Sequence, residues 1–109
     1  MVDEAAQALH VACWIPMLLA RNVCLAGDHH QLPPTVKSRA AEEQGLADTL
    51  FERMMTLSSG LARMLKVQYR MNEQISCWSS RELYDNQVFN IFFFRMKFAF
   101  KKNYFIIHL

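Results

Sequence analysis

The run Asn22-Val23-Cys24-Leu25-Ala26 is apolar after its first residue and stops at once in Gly27-Asp28-His29-His30-Gln31-Leu32-Pro33-Pro34. A half-exposed strand alternates apolar and polar side chains. A strand that is apolar throughout has to be covered on both faces, as in a parallel sheet flanked by helices. The neighbouring segments fit that requirement. Ala5 to Trp14 has helical composition, with Leu9, Ala12 and Cys13 on one apolar stripe. Pro16 reads as the opening of a second short helical turn, "PMLLA". Ser38 to Gln44 and Asp48 to Leu57 read as helices, the latter capped by Asp48. "SSG" marks a break, "ARMLKVQ" reads as a strand, and Asn72 to Asp85 reads as a helix capped by Asn72 with Ile75, Trp78 and Leu83 turned inward. Met1-Val2 reads as the end of another buried strand. This alternation predicts an α/β fold, a parallel sheet covered by helices.

At 109 residues the chain fits one small domain or a piece of a larger one. A net charge of +2 does not by itself argue for nucleic acid. Cys13, Cys24 and Cys77 are odd in number and widely spaced, which fits no metal pattern and points to a reducing compartment, nucleus or cytoplasm. Asp3 and Glu4 stand where a secretory leader would be basic. The uncharged run from Val88 to Phe94 is far short of the roughly 20 residues a membrane helix needs, so no membrane partner is expected.

From residue 88 onward the character changes. "VFNIFFFRMKFAFKKNYFIIHL" has no Gly, Pro, Asp or Glu and holds seven of the eight phenylalanines. Its residue types are those of A/T-rich codons, as read-through or a wrong gene model would give, and 88–109 is expected to lie outside the fold. A terminal hairpin covering the sheet is the alternative. An exposed "NIFFF" would be an aggregation hazard.

Three stretches carry chemistry. In "VDEAAQA", two acids at the end of a buried parallel strand lie at the crevice where such sheets bind ligands. Adjacent strand residues face different ways, so Asp3 can hold a magnesium ion while Glu4 orients or deprotonates water. Equally, both acids could simply favour the N-terminus of a following helix. In "GDHHQLPP", Gly27 lets the chain turn off the strand, and Asp28 and Gln31 share the crevice edge with Asp3 and Glu4 if the two strands are neighbours. The Gln31 amide can donate to a terminal phosphate oxygen and accept from water, and Pro33 and Pro34 stiffen the loop exit. His29 and His30 have no Cys or His partner at zinc spacing and read as polar loop residues. In "VQYRMN", Tyr69 can stack on a flat base and Arg70 offers a planar fork for phosphate oxygens. Taken alone, that pair would read as a solvated strand end.

Together, "DEAAQAL", "CWIP", "AGD..QLPPT" and "L.VQYRM" in this order resemble the superfamily 1 helicases of the up-frameshift class, over residues 2 to 87. The resemblance implies an incomplete RecA-like (P-loop NTPase) sheet spanning the junction of two helicase lobes. Residues 1–60 would be the last part of the first lobe and 61–87 the start of the second. It also implies ATP and Mg2+ as cofactors, and 5′ to 3′ stepping along single-stranded DNA or RNA. Asp3 would bind the metal and Glu4 would activate water. Gln31 would sense the terminal phosphate, with Asp28 beside it at the nucleotide. Tyr69 would stack on adenine, and Arg70 would serve as an arginine finger from the second lobe.

The phosphate cradle is not among these 109 residues: the glycines stand at 27, 45 and 60, and none precedes a lysine. ATP hydrolysis by this polypeptide alone is therefore not expected, and the missing remainder of the lobes is the expected partner. A non-catalytic nucleic-acid- or partner-binding product, or a chain that does not fold stably, are the alternatives. Arg39, Arg53, Arg63 and Lys66 are scattered, which does not favour binding without catalysis.

Overall fold

The computed structural model describes residues 1–57, 59–90 and 105–108. In chain order the elements are α1 (His10–Met17), β1 (Cys24–Gly27), α2 (Arg39–Glu43), α3 (Leu50–Leu57), a 3-10 turn (Ser59–Leu61), β2 (Ala62–Met64), β3 (Val67–Gln68), α4 (Glu73–Leu83), β4 (Phe89–Asn90) and β5 (Phe105–His108). They form two compact units, Met1–Arg63 with Phe105–Leu109, and Met64–Tyr104.

The first unit is built around β1, whose Leu25 and Ala26 are buried. On one side Val2 forms a parallel bridge with Leu25: Val2 N–H donates to Cys24 O at 2.8 Å, and Ala26 N–H donates to Val2 O at 2.9 Å. On the other side β5 runs antiparallel, pairing Cys24 with His108 and Gly27 with Phe105, in a sheet of order β1-β5-β2. The expected all-parallel sheet is therefore corrected to a mixed one. The antiparallel strand comes from the segment expected to lie outside the fold, and Ile107 is fully buried within the core. Of the segment 88–109, Phe89–Asn90 form β4 and Phe105–His108 form β5, while residues 91–104 and 109 lie outside the described residues.

Phe51 and Leu25 are likewise fully buried, with Leu50, Cys13, Ala5 and Ala6 closing the cluster. Each large side chain taken from water contributes about 1.5–3 kcal/mol.

The helix α1 begins at His10, not Ala5. The Ala5 N–H donates to Ala26 O at 2.8 Å, which ties this segment to β1 instead of to a helical turn. Pro16 lies inside α1, not at the start of another helix. Sitting next to the last helical residue, it removes one donor and the helix ends at Met17. The cap of α3 is Thr49, not Asp48: Thr49 Oγ1 accepts the Glu52 N–H at 3.1 Å and donates to Glu52 Oε2 at 3.2 Å.

The second unit is a strand–helix–strand crossover. β3 and β4 pair in parallel, Val67 with Phe89 and Gln68 with Asn90, and α4 connects them. "ARMLKVQ" is thus two short strands, β2 and β3. Asn72 Oδ1 caps α4 by accepting the Gln74 N–H at 2.9 Å, as its position predicts. The inward face differs from expectation: Ile75 and Trp78 are 64% and 60% exposed, and the buried residues are Ser76 and Ser80. Their hydroxyls fasten the returning chain. Ser80 Oγ donates to Val88 O at 2.8 Å and accepts the Val88 N–H at 3.2 Å, and Ser76 Oγ bonds Asn90 Oδ1 at 3.1 Å. Only small polar side chains allow so close a return. Asp85 and Asn86 turn the chain with left-handed φ of 49° and 57°, a conformation Asp and Asn tolerate better than most. Among the described residues no helix is long and apolar enough to cross a membrane.

Candidate functional site

The site in the first unit forms where two chain segments leave neighbouring strands at the same end. After the Val2 bridge, Asp3 is exposed and Glu4 half-buried. Asp3 Oδ1 accepts the Glu4 N–H at 3.0 Å. Glu4 holds a left-handed φ of 52°, which disfavours most side chains and redirects the chain so that Ala5 N–H reaches Ala26 O. The turn that follows lies on the end of β1. A Cβ placed on Gly27 would stand 2.8 Å from Ala6 N and 3.2 Å from Ala5 N. Gly27 is needed for this close approach and not, as the sequence reading had it, for a turn conformation.

The next residue, Asp28, is buried. Its carboxylate organises the loop: Oδ1 accepts the His30 N–H at 3.0 Å, and Oδ2 accepts from Gln31 Nε2 at 2.6 Å. Gln31 itself is exposed, while Pro34 is buried and anchors the loop exit. Asp28 thus faces the loop and holds Gln31. An amide nitrogen carries two hydrogens, so this bond leaves a second N–H and Oε1 for other partners.

The His29 ring packs 5.1 Å from Phe105, 6.5 Å from Phe51 and 4.0 Å from His30, centroid to centroid. Its Nδ1 is buried without a hydrogen-bond partner among the described residues. Burial, reinforced by the neighbouring His30, holds the His29 pKa below its ordinary value; Asp28 and Glu52 oppose the shift.

In the second unit Tyr69 and Arg70 are exposed on a turn that Gln68 builds. Gln68 is almost fully buried. Its Oε1 accepts the Arg70 N–H at 2.9 Å and the Met71 N–H at 2.7 Å, and its Nε2 donates to Met71 O at 2.9 Å. The sequence reading missed this residue; its polar side chain at the end of an apolar strand was the available signal.

Asp3 is a hard oxygen donor suited to magnesium, which commonly takes one or two carboxylates and completes its shell with phosphate and water. Among the described residues no cluster of three His, Cys, Asp or Glu could hold a metal on its own. An open cleft of about 410 Å³ lined by residues including His10, Gln44, Asp48, Glu52 and Arg53 contains none of the candidate nucleotide- or metal-binding residues.

Two family models, each described as an AAA domain, match residues 1–39 and 46–95. The second match runs past residue 88, where the sequence reading placed a break in character. The chain is 51% identical over 88 residues to the DNA-binding protein SMUBP-2 of Mus musculus, covering 80% of this chain and 9% of that protein. It is 41% identical to the uncharacterized ATP-dependent helicase MJ0104 of Methanocaldococcus jannaschii, covering 81% of this chain and 13% of that one. It is 40% identical to the DNA replication ATP-dependent helicase/nuclease DNA2 of Xenopus laevis, covering 81% of this chain and 8% of the relative. The chain therefore spans only a small part of the length of these relatives. With family matches whose ranges include Asp3, Gln31 and Arg70, and with 51% identity over four fifths of its length to a SMUBP-2 protein, the chain belongs to the AAA-domain helicases of superfamily 1, in the SMUBP-2-like group.

Proposed function

We propose that this chain supplies the magnesium, water-activating and phosphate-sensing groups of an ATP-dependent helicase that steps 5′ to 3′ on single-stranded DNA or RNA. The observation that supports this most is the backbone contact between the Asp3–Ala6 turn and Gly27. It draws Asp3, Glu4 and Gln31 to one end of β1, the end at which parallel sheets take ligands.

Asp3 would hold the magnesium ion. When bound, the ion would supply positive charge that offsets the negative charge developing on the phosphate. Glu4 orients and deprotonates the attacking water. Gln31 offers its second N–H to the terminal phosphate and its Oε1 to the water, and Asp28 keeps the amide in that orientation. Asp28 therefore acts in nucleotide binding through Gln31 and not by its own contact. In the second unit, the Tyr69 ring is suited to stacking on a base and the Arg70 guanidinium to phosphate oxygens, with Gln68 fixing the turn that carries both. The relatives are named as a DNA-binding protein and as ATP-dependent helicases, which supports ATP and nucleic acid as ligands.

Because the 109 residues contain no Gly-rich loop followed by Lys, nucleotide affinity rests on the few groups above and is weak. The test is equilibrium dialysis with magnesium ATP together with an ATPase assay with and without single-stranded DNA. The expected result is millimolar binding that Asp3→Ala abolishes, and no turnover above background. Robust, nucleic-acid-stimulated hydrolysis by this chain would contradict the proposal.

A further inference from the structure

The strand β5 comes from beyond residue 95, where the family match stops, yet it lies between β1 and β2. Among the described residues β1 has a parallel neighbour on one side only, Val2. Its other side would otherwise present unpaired N–H and C=O groups beside a fully buried Leu25, an arrangement that recruits any extended segment. β5 meets that need over four residue pairs, setting Ile107 opposite Leu25 and Phe105 opposite Gly27. The Phe105 ring then reaches the sensing loop, with its centroid 5.1 Å from that of His29 and 6.4 Å from that of His30. The His30 N–H and the Gln31 amide both donate to the Asp28 carboxylate.

We propose that the open side of β1 is a strand-addition site which this chain fills with its own Phe105–His108, and that Phe105 is a positioning residue for the Asp28–Gln31 loop. The occupant is the cis strand. A second copy of the chain, or another extended segment, would compete for the same side. Only the importance of Gln31 rests on the ATP-site reading; the strand pairing is tested without it.

The register gives a direct probe, because Cys24 already stands opposite His108. Opposed residues of an antiparallel pair have Cα atoms about 4.5–5.5 Å apart, within the range of about 4.4–6.8 Å that a disulfide bridges. His108→Cys, oxidised mildly in the native state and mapped by peptide mass, is expected to give an intramolecular link between position 108 and Cys24, absent when oxidation is done in urea. Failure of that link, or its appearance only between two chains, overturns the cis assignment.

A second measurement needs no new bond. Phe105→Ala is expected to speed hydrogen exchange at the His30 amide about tenfold or more by loosening the loop. The Met71 amide, held by Gln68 in the other unit, is expected to stay unchanged. Unchanged exchange at His30 overturns the positioning role even if the crosslink forms.

Discussion

Gly27→Ala is the sharpest structural prediction. The added Cβ would meet Ala6 N at 2.8 Å, Ala5 N at 3.2 Å and Ala6 Cβ at 3.2 Å. Two of these atoms are backbone nitrogens, and Ala5 N–H is already committed to Ala26 O, so neither can rotate aside. Relief requires the turn after Asp3 to move off β1. Overpacking of this kind costs about 1–3 kcal/mol. For a domain of this size that corresponds to a fall in Tm of roughly 5–20 °C. The other glycines are internal controls. A Cβ on Gly60 meets nothing within 4 Å, so Gly60→Ala should stay within about 0.5 kcal/mol of the parent. Gly45 holds a φ of +88°, so Gly45→Ala should cost about 1–2 kcal/mol from backbone conformation alone. The assay is thermal melting by circular dichroism with urea titration of the three variants. A Gly27→Ala chain that melts with the Gly60→Ala chain would refute the contact between the Asp3 turn and β1, and with it the shared location of Asp3, Glu4 and Gln31.

Gln68→Ala removes the partner of two backbone N–H groups and one C=O at a buried position. The expected cost is about 1–3 kcal/mol in urea titration. Stability should fall as pH drops from 6.5 downward, because the folded state holds His29 below its ordinary value and the unfolded chain then binds more protons. The stabilisation is complete above the unfolded value and is lost as pH falls through the folded one; His29→Leu should flatten this slope in melts taken between pH 5 and 8. Thiol labelling in the native state should modify exposed Cys77 first and buried Cys13 last, since burial raises the Cys13 pKa and also bars reagent.

What the sequence made legible follows from how local each cause is. β1 was readable because the four residues Val23 to Ala26 carry no polar break, which fits a strand covered on both faces. The Asn72 cap was readable because a cap depends on one side chain and the N–H groups just after it. The Thr49 cap was missed because Asp48 and Thr49 are both good caps, and only the path of the chain decides between them. Ser76 and Ser80 were missed because their burial follows from hydroxyl bonds to Val88 and Asn90, partners 8 and 14 residues away. The burial of Ile107 was missed for a similar reason: composition marked the segment as foreign, whereas its place is set by an open strand edge about 80 residues earlier in the chain. Among the candidate site residues, Asp3, Glu4, Gln31 and Arg70 were visible as chemistry-bearing types in a family order. The supporting roles of Asp28 and Gln68 became visible only once their hydrogen bonds were known.

Paramagnetic broadening of backbone amide resonances by Mn2+ with excess ATP tests most directly whether Asp3, Glu4 and Gln31 serve one triphosphate. The account predicts selective broadening at Asp3 to Ala6 and Asp28 to Gln31, lost in Asp3→Ala. Broadening centred on His10, Asp48 and Glu52, or spread without focus over the chain, would contradict it.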